Sequence, residues 1–523
     1  MTIEDLIKKG HFPRELPPPF TSSYFGDFYT KNGGLLPKPK KNSRGIKFSC
    51  PRLGLVRKIV VLTNPQHQTQ LSEYIISKWA DIELHYAKSR LSFSKPTNKG
   101  DRAANLPSFK DYKRKCFEES YYHKYELKTD ISKYFPSIYT HSVPWALHTK
   151  AIAKANAASR TKDIGDYIDE FVRYTQYNQT IGLPIGPDTS HIISEIIGTS
   201  LDQHLQTKFP GLVGFRFVDD MYFYFQSYAE AELCLKEIQH IFKEYELQIN
   251  GDKTKINKLP VGIEDEWLIT LRKFNFKTSP NQQYHDLFSF FSLAFDFSQK
   301  HPDKFILSYA IRRIGNEFIH HKNFSVYESM LLKTIQTESS ALPDVLKILL
   351  SYKSLVNLDK LKNTLQSIIK YACPRAFDFE VAWALWYAHT FKIKLDDDIA
   401  KELENLIDPI TILMVLDLID QKLINSTAIN LTSWSTQITA DSLTDEKWIL
   451  AYEISLRKWL VANFDYIDLD ADNKYYKILK DNGITFYDNT RQVAVKNDFS
   501  KTPTPEKINE QTVDVFEITE YDY

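Results

Sequence analysis

Two adjacent aspartates, Asp219 and Asp220, interrupt a run that otherwise asks to be buried: GFRFVDDMYFYF over residues 214–225. Phe215 and Phe217 on one side and Met221, Phe223 and Phe225 on the other recur with the period of two expected of β-strands, so the segment reads as a hairpin turning at Asp219-Asp220. Two carboxylates at the tip of a largely buried hairpin repel each other and lose hydration. Left uncompensated they cost several kcal/mol, and the remedies are proton sharing or a bound cation, of which a divalent metal fits better. A third carboxylate stands ready: YELKTDISKYF (125–135) is strand-like up to Asp130, which precedes the aromatic pair Tyr134-Phe135. Three Asp oxygens converging from neighbouring strands suit octahedral Mg²⁺, a hard ion that keeps waters for a phosphate to displace. Two such ions about 3.5–4 Å apart support attack by a 3′-hydroxyl and departure of pyrophosphate. The run Asp396, Asp397 and Asp398 has no such apolar frame and reads as the cap of a solvated helix.

The segments around these acids set the fold class. VRKIVVLTN reads as a strand, and the segment after Pro65 puts Leu71, Ile75, Trp79 and Ile82 at helical spacing. His141–Ala158 and Ile164–Tyr177 read as helices, and Ile192, Ile193, Ile196, Ile197 and Leu201 mark one face of another. Leu235, Ile238, Phe242 and Tyr245 give a further helix, and LQINGDKTKI (247–256) reads as strand, turn, strand. The expected order is β–α–β–α–α–β–β–α–β, an α+β domain with helices on one face of a mainly antiparallel sheet. After about Tyr284 strand signals vanish, and Pro302, Pro343, Pro374 and Pro409 punctuate apolar-periodic segments at a spacing that suits either stacked helix-pair repeats or a plain bundle. Trp383 and Trp386 read as helix–helix core. From Asp488 onward Pro, Thr and acids predict a mobile or partner-docked tail. The expected divisions are an N-terminal extension at 1–44, the α+β unit at 45–270, an α-helical domain at 271–487 and an acidic tail at 488–523.

Charge places the candidate polyanion surface. Lys plus Arg and Asp plus Glu both number 66, so any polyanion must meet a local patch. Between Lys31 and Val60 stand nine cations, Lys38, Lys40, Lys41 and Arg44 among them, with no Asp or Glu. A second basic stretch runs from Lys88 to Lys115, and two such stretches flanking a strand and a helix favour a phosphate-lined surface. The four cysteines lie far apart with no CxxC pair, which excludes a zinc finger or disulfide framework and points to a reducing cytoplasm. MTIEDLIKKG is followed by no apolar h-region, and no uninterrupted apolar stretch of about 18 residues occurs, so neither secretion nor a membrane partner is expected.

Read in order, LKTDISKYFPSIYTHSVPWAL, GLPIGPDTSHIISEII, GFRFVDDMYFYF and LQINGDKTKI resemble motifs A, B, C and D of reverse transcriptases, and RKIVVLTNPQHQTQLSEYIISKW resembles their fingers strand and helix. The wording SIYTHSVPWALH with GLPIGPDTS is most similar to the bacterial abortive-infection and defence-associated members. The resemblance implies a right-hand fingers–palm fold followed by a helical, often repeat-like (HEAT-like) region, and an RNA-directed DNA polymerase in antiphage defence. It makes Asp130 the motif A ligand, with the Ile131 carbonyl beside it, and Asp219 and Asp220 the motif C pair, holding two Mg²⁺ ions, with Mn²⁺ as a substitute. Phe135 falls where an aromatic ring closes the space of a ribose 2′-hydroxyl. Arg57 and Lys58 match the fingers cations that clamp a triphosphate, Gly186 and Ser190 the motif B loop, and Lys253 the motif D lysine near the departing pyrophosphate.

The departures also count. Ile185 stands where the retroviral and intron enzymes have Gln before the Gly, which touches template handling, and Trp267 in EDEWLITLRKFNF is only a possible remnant of a primer grip. The partners implied are dNTPs, an RNA template, which a dedicated noncoding RNA could supply, and a DNA product. The extra amphipathic helices point to a homo-oligomer ahead of an RNA cradle. Two alternatives stand beside this reading: template-independent synthesis primed on a tyrosine of the chain itself, with Tyr24, Tyr29, Tyr521 and Tyr523 in segments expected to be mobile, and a catalytically inactive RNA-binding or assembly scaffold.

Overall fold

The computed structural model describes residues 1–39, 42–52, 56–159, 161–460, 467, 474–495 and 498–499. The chain begins with α1 (Ile3–Lys8) and α2 (Ser23–Asn32), then a hairpin of β1 (Ile46–Pro51) and β2 (Arg57–Leu62). Next come α3 (Pro65–Ser77), α4 (Trp79–Tyr86), α5 (Phe109–Glu119), β3 (Tyr125–Asp130), α6 (Tyr134–Ser137), α7 (Ser142–His148), α8 (Lys150–Ser159), α9 (Ile164–Thr175) and α10 (Asp188–Lys208). The hairpin β4 (Val213–Phe217) and β5 (Asp220–Phe225), α11 (Tyr228–Glu244) and β6 (Lys255–Lys258) complete the α+β unit. From α12 (Glu266–Arg272) onward the described residues form helices and short 3₁₀ turns, among them α13 (Pro280–Lys300), α14 (Ile306–Ile314), α15 (Phe324–Thr337), α16 (Leu342–Ser351), α17 (Leu358–Ala372) and α18 (Asp378–Phe391).

Local chemistry accounts for the borders. Asn64 caps α3 with Pro65 in its first turn, and Ser227 with Glu230 closes a capping box on α11. Of the four punctuating prolines, Pro343 and Pro409 sit in the first turn of their helices, where the missing N–H costs nothing, Pro374 lies in a 3₁₀ turn after α17, and Pro302 lies in the turn between α13 and α14.

The four-stranded sheet runs β4-β5-β3-β6, antiparallel throughout. Its inner face, with Leu127, Met221 and Phe223, packs against Ile192, Ile193, Ile196 and Ile197 of α10 and Ala231, Cys234 and Ile238 of α11. The outer face is not bare, as a one-sided sheet requires: Phe109, Tyr112 and Cys116 of α5 cover Tyr222 and Tyr224. The aromatic alternation of β5 therefore serves two cores. LQINGDKTKI forms one strand rather than two, since Ile249 makes a single bridge to Ile131 and pairing resumes only at β6.

The second core ignores chain order. Phe12, Leu16, Phe20 and Phe25 of the N-terminal segment and Ile46, Phe48, Val60 and Leu62 of the β1–β2 hairpin pack with the helical region, not with the sheet. Polar ties repeat the pattern: Ser49 N–H donates to Asp378 (2.9 Å), Asn64 Nδ2 to the Leu443 carbonyl (2.8 Å), and Trp383 Nε1 to the Glu15 carbonyl (3.0 Å). Trp383 and Trp386 are buried in this core, as their spacing suggests. The described start of the acidic segment is docked on its own chain: Asp488 N–H donates to the Pro19 carbonyl, and Phe499 packs 5.0 Å from the Tyr352 ring. Lys40, Lys41, Tyr521, Tyr523 and everything after 500 lie outside the described residues. No helix among the described residues is long and apolar enough to cross a membrane.

Candidate active site

Strand register brings the three aspartates together. β3 and β5 pair so that Asp130 lies directly opposite Asp220, and Asp220 in turn lies opposite Phe217. Like charges directly opposite in a ladder are destabilising, so this pairing needs a compensating cation. The turn of the hairpin is Val218-Asp219, one residue earlier than the sequence suggests, because Asp220 is already in the ladder. Val218 takes φ 56°, a strained conformation for a β-branched residue.

That strain is held by a buried charge network. Ser94 Oγ accepts the Val218 N–H (2.9 Å), and Arg216 Nη1 donates to the Val218 carbonyl (3.1 Å). Arg216 is fully buried and also donates to Glu195 (2.9 and 3.0 Å) and Asp202 (2.8 to 3.1 Å) on α10. Burial alone lowers the guanidinium pKa; Asp202 and Glu195 outweigh it and raise it, so the guanidinium keeps its charge, while burial pushes the Asp202 carboxyl up. Gly198, between the two acids on α10, is required because a Cβ there would collide with the guanidinium.

Around the aspartates, Asp130 accepts hydrogen bonds from Asn250 Nδ2 (2.9 Å) and Lys253 Nζ (2.7 Å). Burial, with Asp220 and Asp130 alongside, pushes the Asp219 carboxyl up to about 7. Burial raises Asp220 as well, with Lys253 working against it. Burial pulls the Lys253 ammonium down, but the hydrogen bond and charge of Asp130 outweigh it and the net shift is upward. Carboxylates driven toward protonation by burial and by one another, with hard oxygen donors only, fit a site for a hard divalent cation. The Ile131 N–H donates to the Asp219 carbonyl (3.3 Å), tying the motif A and C backbones together.

The remaining candidates divide. Phe135 is partly buried against the sheet core, its ring edge-on to His191 at 5.2 Å. Gly186 has φ 134°, and a Cβ there would meet Pro13 Cγ at 2.6 Å and the Val61 carbonyl at 3.1 Å, so this loop needs glycine on two counts. Ser190 turns its Oγ inward to the Pro184 carbonyl (2.6 Å). Arg57 and Lys58, consecutive on β2, point to opposite faces. Arg57 holds Glu380 of α18 in a bidentate pair (2.6 and 2.7 Å), donates to Ser49, and stacks 4.1 Å over the Phe377 ring; Lys58 pairs with Glu15 (2.9 Å). Neither makes contact with the aspartates. Lys38 is exposed; Arg44 lies 3.6 Å from Glu446 and 4.3 Å over Tyr177. Trp267 packs edge-on against Tyr309, and the hydroxyls of Tyr24 and Tyr29 are engaged by Asp488 and Glu73.

Sequence reasoning missed Arg216, Glu195 and Asp202, though a signal was present: two acids seven residues apart on the otherwise apolar face of α10. It also missed Arg102, counted only as part of a basic stretch, which pairs with buried Asp188 (2.6 Å) and donates to the Phe12 and Gly186 carbonyls, joining the N-terminal segment to the motif B loop.

Residues 63–282 match the family model described as reverse transcriptase (RNA-dependent DNA polymerase), so the chain carries a reverse transcriptase domain. The match begins after Arg57 and Lys58. No curated protein matches the chain. Among solved structures, apo telomerase from Candida tropicalis is similar at 11% identity and TM-score 0.32, over 83% of this chain and 75% of that one. A Candida tropicalis telomerase truncated from its C-terminal domain gives 12% and 0.29, over 45% of this chain and 54% of that one. Telomerase from Candida albicans in complex with a fragment of telomeric RNA gives 12% and 0.28, over 80% and 70%.

Proposed function

We propose that this chain is an RNA-directed DNA polymerase that adds dNTPs to a 3′-hydroxyl, acting in the cytoplasm of a bacterium in antiphage defence. The observation that carries the chemistry is the register that sets Asp130 against Asp220 with Asp219 at the turn; the defence role rests on the wording of motifs A and B. Asp130, Asp219 and Asp220, with the Ile131 carbonyl, would hold two Mg²⁺ ions, which supply activation of the attacking hydroxyl and neutralisation of the leaving pyrophosphate. Lys253 keeps its proton beside Asp130 and is placed to meet negative charge developing on the leaving group. Phe135 closes the nucleotide site against a 2′-hydroxyl, and Gly186 and Ser190 keep the motif B loop close to the incoming nucleotide. Arg57 and Lys58 serve the triphosphate only on release from Glu380 and Glu15. Lys38, Lys40, Lys41 and Arg44 form the nucleic-acid approach, and the helical region, taken as 271–487 after a polymerase unit at 45–270, presents a surface for a second copy of the chain or for a structured RNA.

The test is primer extension on an RNA template. Asp219→Asn and Asp130→Asn each remove a ligand charge at constant volume, so incorporation should fall by at least about 10³-fold, the equivalent of several kcal/mol of transition-state stabilisation, with the fold retained by circular dichroism. Incorporation near the wild-type rate in the double variant overturns the polymerase reading.

A further inference from the structure

Away from the aspartates, His204, Glu237 and His240 form a group of a different character, with one ligand atom from each lying within 4.8 Å of the others. His204 lies in the last turns of α10. Glu237 and His240, three residues apart, share one face of α11, so two helices contribute to one cluster. His204 Nε2 is hydrogen-bonded to the Glu237 carboxylate, and the two imidazoles lie nearly parallel with centroids 6.4 Å apart. The hydrogen bond and charge of His204 hold the Glu237 carboxyl below its usual range, so it is an anion at neutral pH. Glu244 Oε1 lies 3.9 Å from His240 Nδ1, and Lys208 acts on Glu237 beside the two histidines.

Two imidazoles and a carboxylate are not a magnesium set. Borderline nitrogen donors select zinc-type ions, whereas Mg²⁺ takes oxygen and keeps its waters. Around a tetrahedral zinc with bonds of about 2.0–2.1 Å, ligand atoms stand about 3.3 Å apart, so the observed cluster needs a closure on the order of 1 Å. His240 and Glu244 are 61% and 52% exposed and can move; His204 and Glu237, at 25% and 23%, are already placed. The three ligands share no residue with the aspartate site, and His204 stands 14 residues beyond Ser190 on α10, about 21 Å along the helix.

We propose that His204, Glu237 and His240 bind one zinc-type ion that staples the end of α10 to α11. The staple joins the two helices behind the sheet: α10 bears Glu195 and Asp202 under the Val218 turn, and α11 covers β3 and β5. A fourth position stays open to Glu244 or water.

The test uses the full-length metal-free protein in excess Mg²⁺, which occupies the hard carboxylate site, with Co²⁺ as the spectroscopic probe and Zn²⁺ as its competitor. One Co²⁺ per chain, with visible bands that Zn²⁺ abolishes and a Tm that rises with Zn²⁺, is the expected result. His240→Gln alters a mostly exposed side chain, so folding is not at stake. It should weaken Co²⁺ binding by more than about tenfold, since losing even an outer-sphere partner costs that much. His204→Gln should do the same, and Asp219→Asn should leave Co²⁺ binding unchanged. Absence of binding, binding undiminished in both histidine variants, or binding that leaves Tm unmoved overturns the proposal and leaves His204–Glu237 as a hydrogen-bonded pair alone.

Discussion

The β4–β5 hairpin and the β1–β2 hairpin each set an arginine against carboxylates, but they find those carboxylates at opposite ends of the sequence scale. Arg216 takes its partners from α10, 14 and 21 residues away, inside the core it supports. Arg57 takes Glu380 from 323 residues away, across the join to the helical region. On loop-closure entropy alone the second pairing costs about 3 kcal/mol more than the first in an otherwise open chain. The first network therefore belongs to the sheet unit itself, and the second forms only when the helical region is in place. The candidate catalytic turn is thus supported locally, while the candidate fingers cations are governed by a distant part of the chain.

The largest effect that sharpens this contrast is expected at Arg216. Arg216→Met keeps most of the volume but leaves Glu195 and Asp202 buried without a countercharge, at a cost of about 3–5 kcal/mol in urea unfolding. Adding Glu195→Gln and Asp202→Asn should restore much of it, because neutral groups of the same shape demand less. Arg57→Met should cost less, and equal losses would break the comparison.

Next comes Glu380→Gln, which removes the countercharge and one of the two oxygens that accept from the Arg57 guanidinium. Stability should fall by about 1–3 kcal/mol, the cost of leaving a buried donor unsatisfied. If the guanidinium then reaches a triphosphate, the KM for dNTP falls as well. A KM identical to wild type would assign Arg57 to the join between fingers and helices and not to the nucleotide.

A smaller effect lies in pH. Burial, opposed by the Ser49 N–H and Arg57, pushes the Asp378 carboxyl up to about 6. A carboxyl raised on folding is protonated in the folded chain and ionised in the unfolded one between about 4 and 6, so its stabilisation is present below that window and lost as pH rises through it. Asp378→Asn, which keeps an acceptor for Ser49, should flatten the stability profile there by on the order of 2–3 kcal/mol. A wild-type profile in the variant places the titration elsewhere.

The smallest effect is on nucleic-acid affinity. Lys38→Glu with Arg44→Glu should reduce the slope of log K against log salt by about 0.7–0.9 for each phosphate that is no longer neutralised. An unchanged slope would show these residues to be solvated, with Arg44 engaged by Glu446 and Tyr177.

Reading the sequence recovered most of the sheet unit and little of the fingers. β3, β5, α10 and α11 carry strong periodicity, and Asp219-Asp220 stands out against its aromatic frame; these are local signals. The β1 strand was hidden because Lys47 and the cations that flank it read only as a basic stretch, and only pairing with β2 reveals that Phe48 and Cys50 face a core. The single break between α7 and α8 at Thr149, with φ 90°, left no mark in composition.

What the sequence by itself determined is the kind of site: hard oxygen ligands on paired strands, a glycine loop, and a reverse transcriptase domain in motif order, because each is written within a few residues. Only the tertiary structure decided how those groups are used at rest. It set the turn at Val218 by way of Ser94 and Arg216, gave Lys253 to Asp130, closed Arg57 onto Glu380, and drew the fingers hairpin into the helical core. The physical reason is that a charged side chain takes the partner that packing brings within about 3 Å, and which of the 66 acids that is depends on how distant helices stack rather than on the residues beside it.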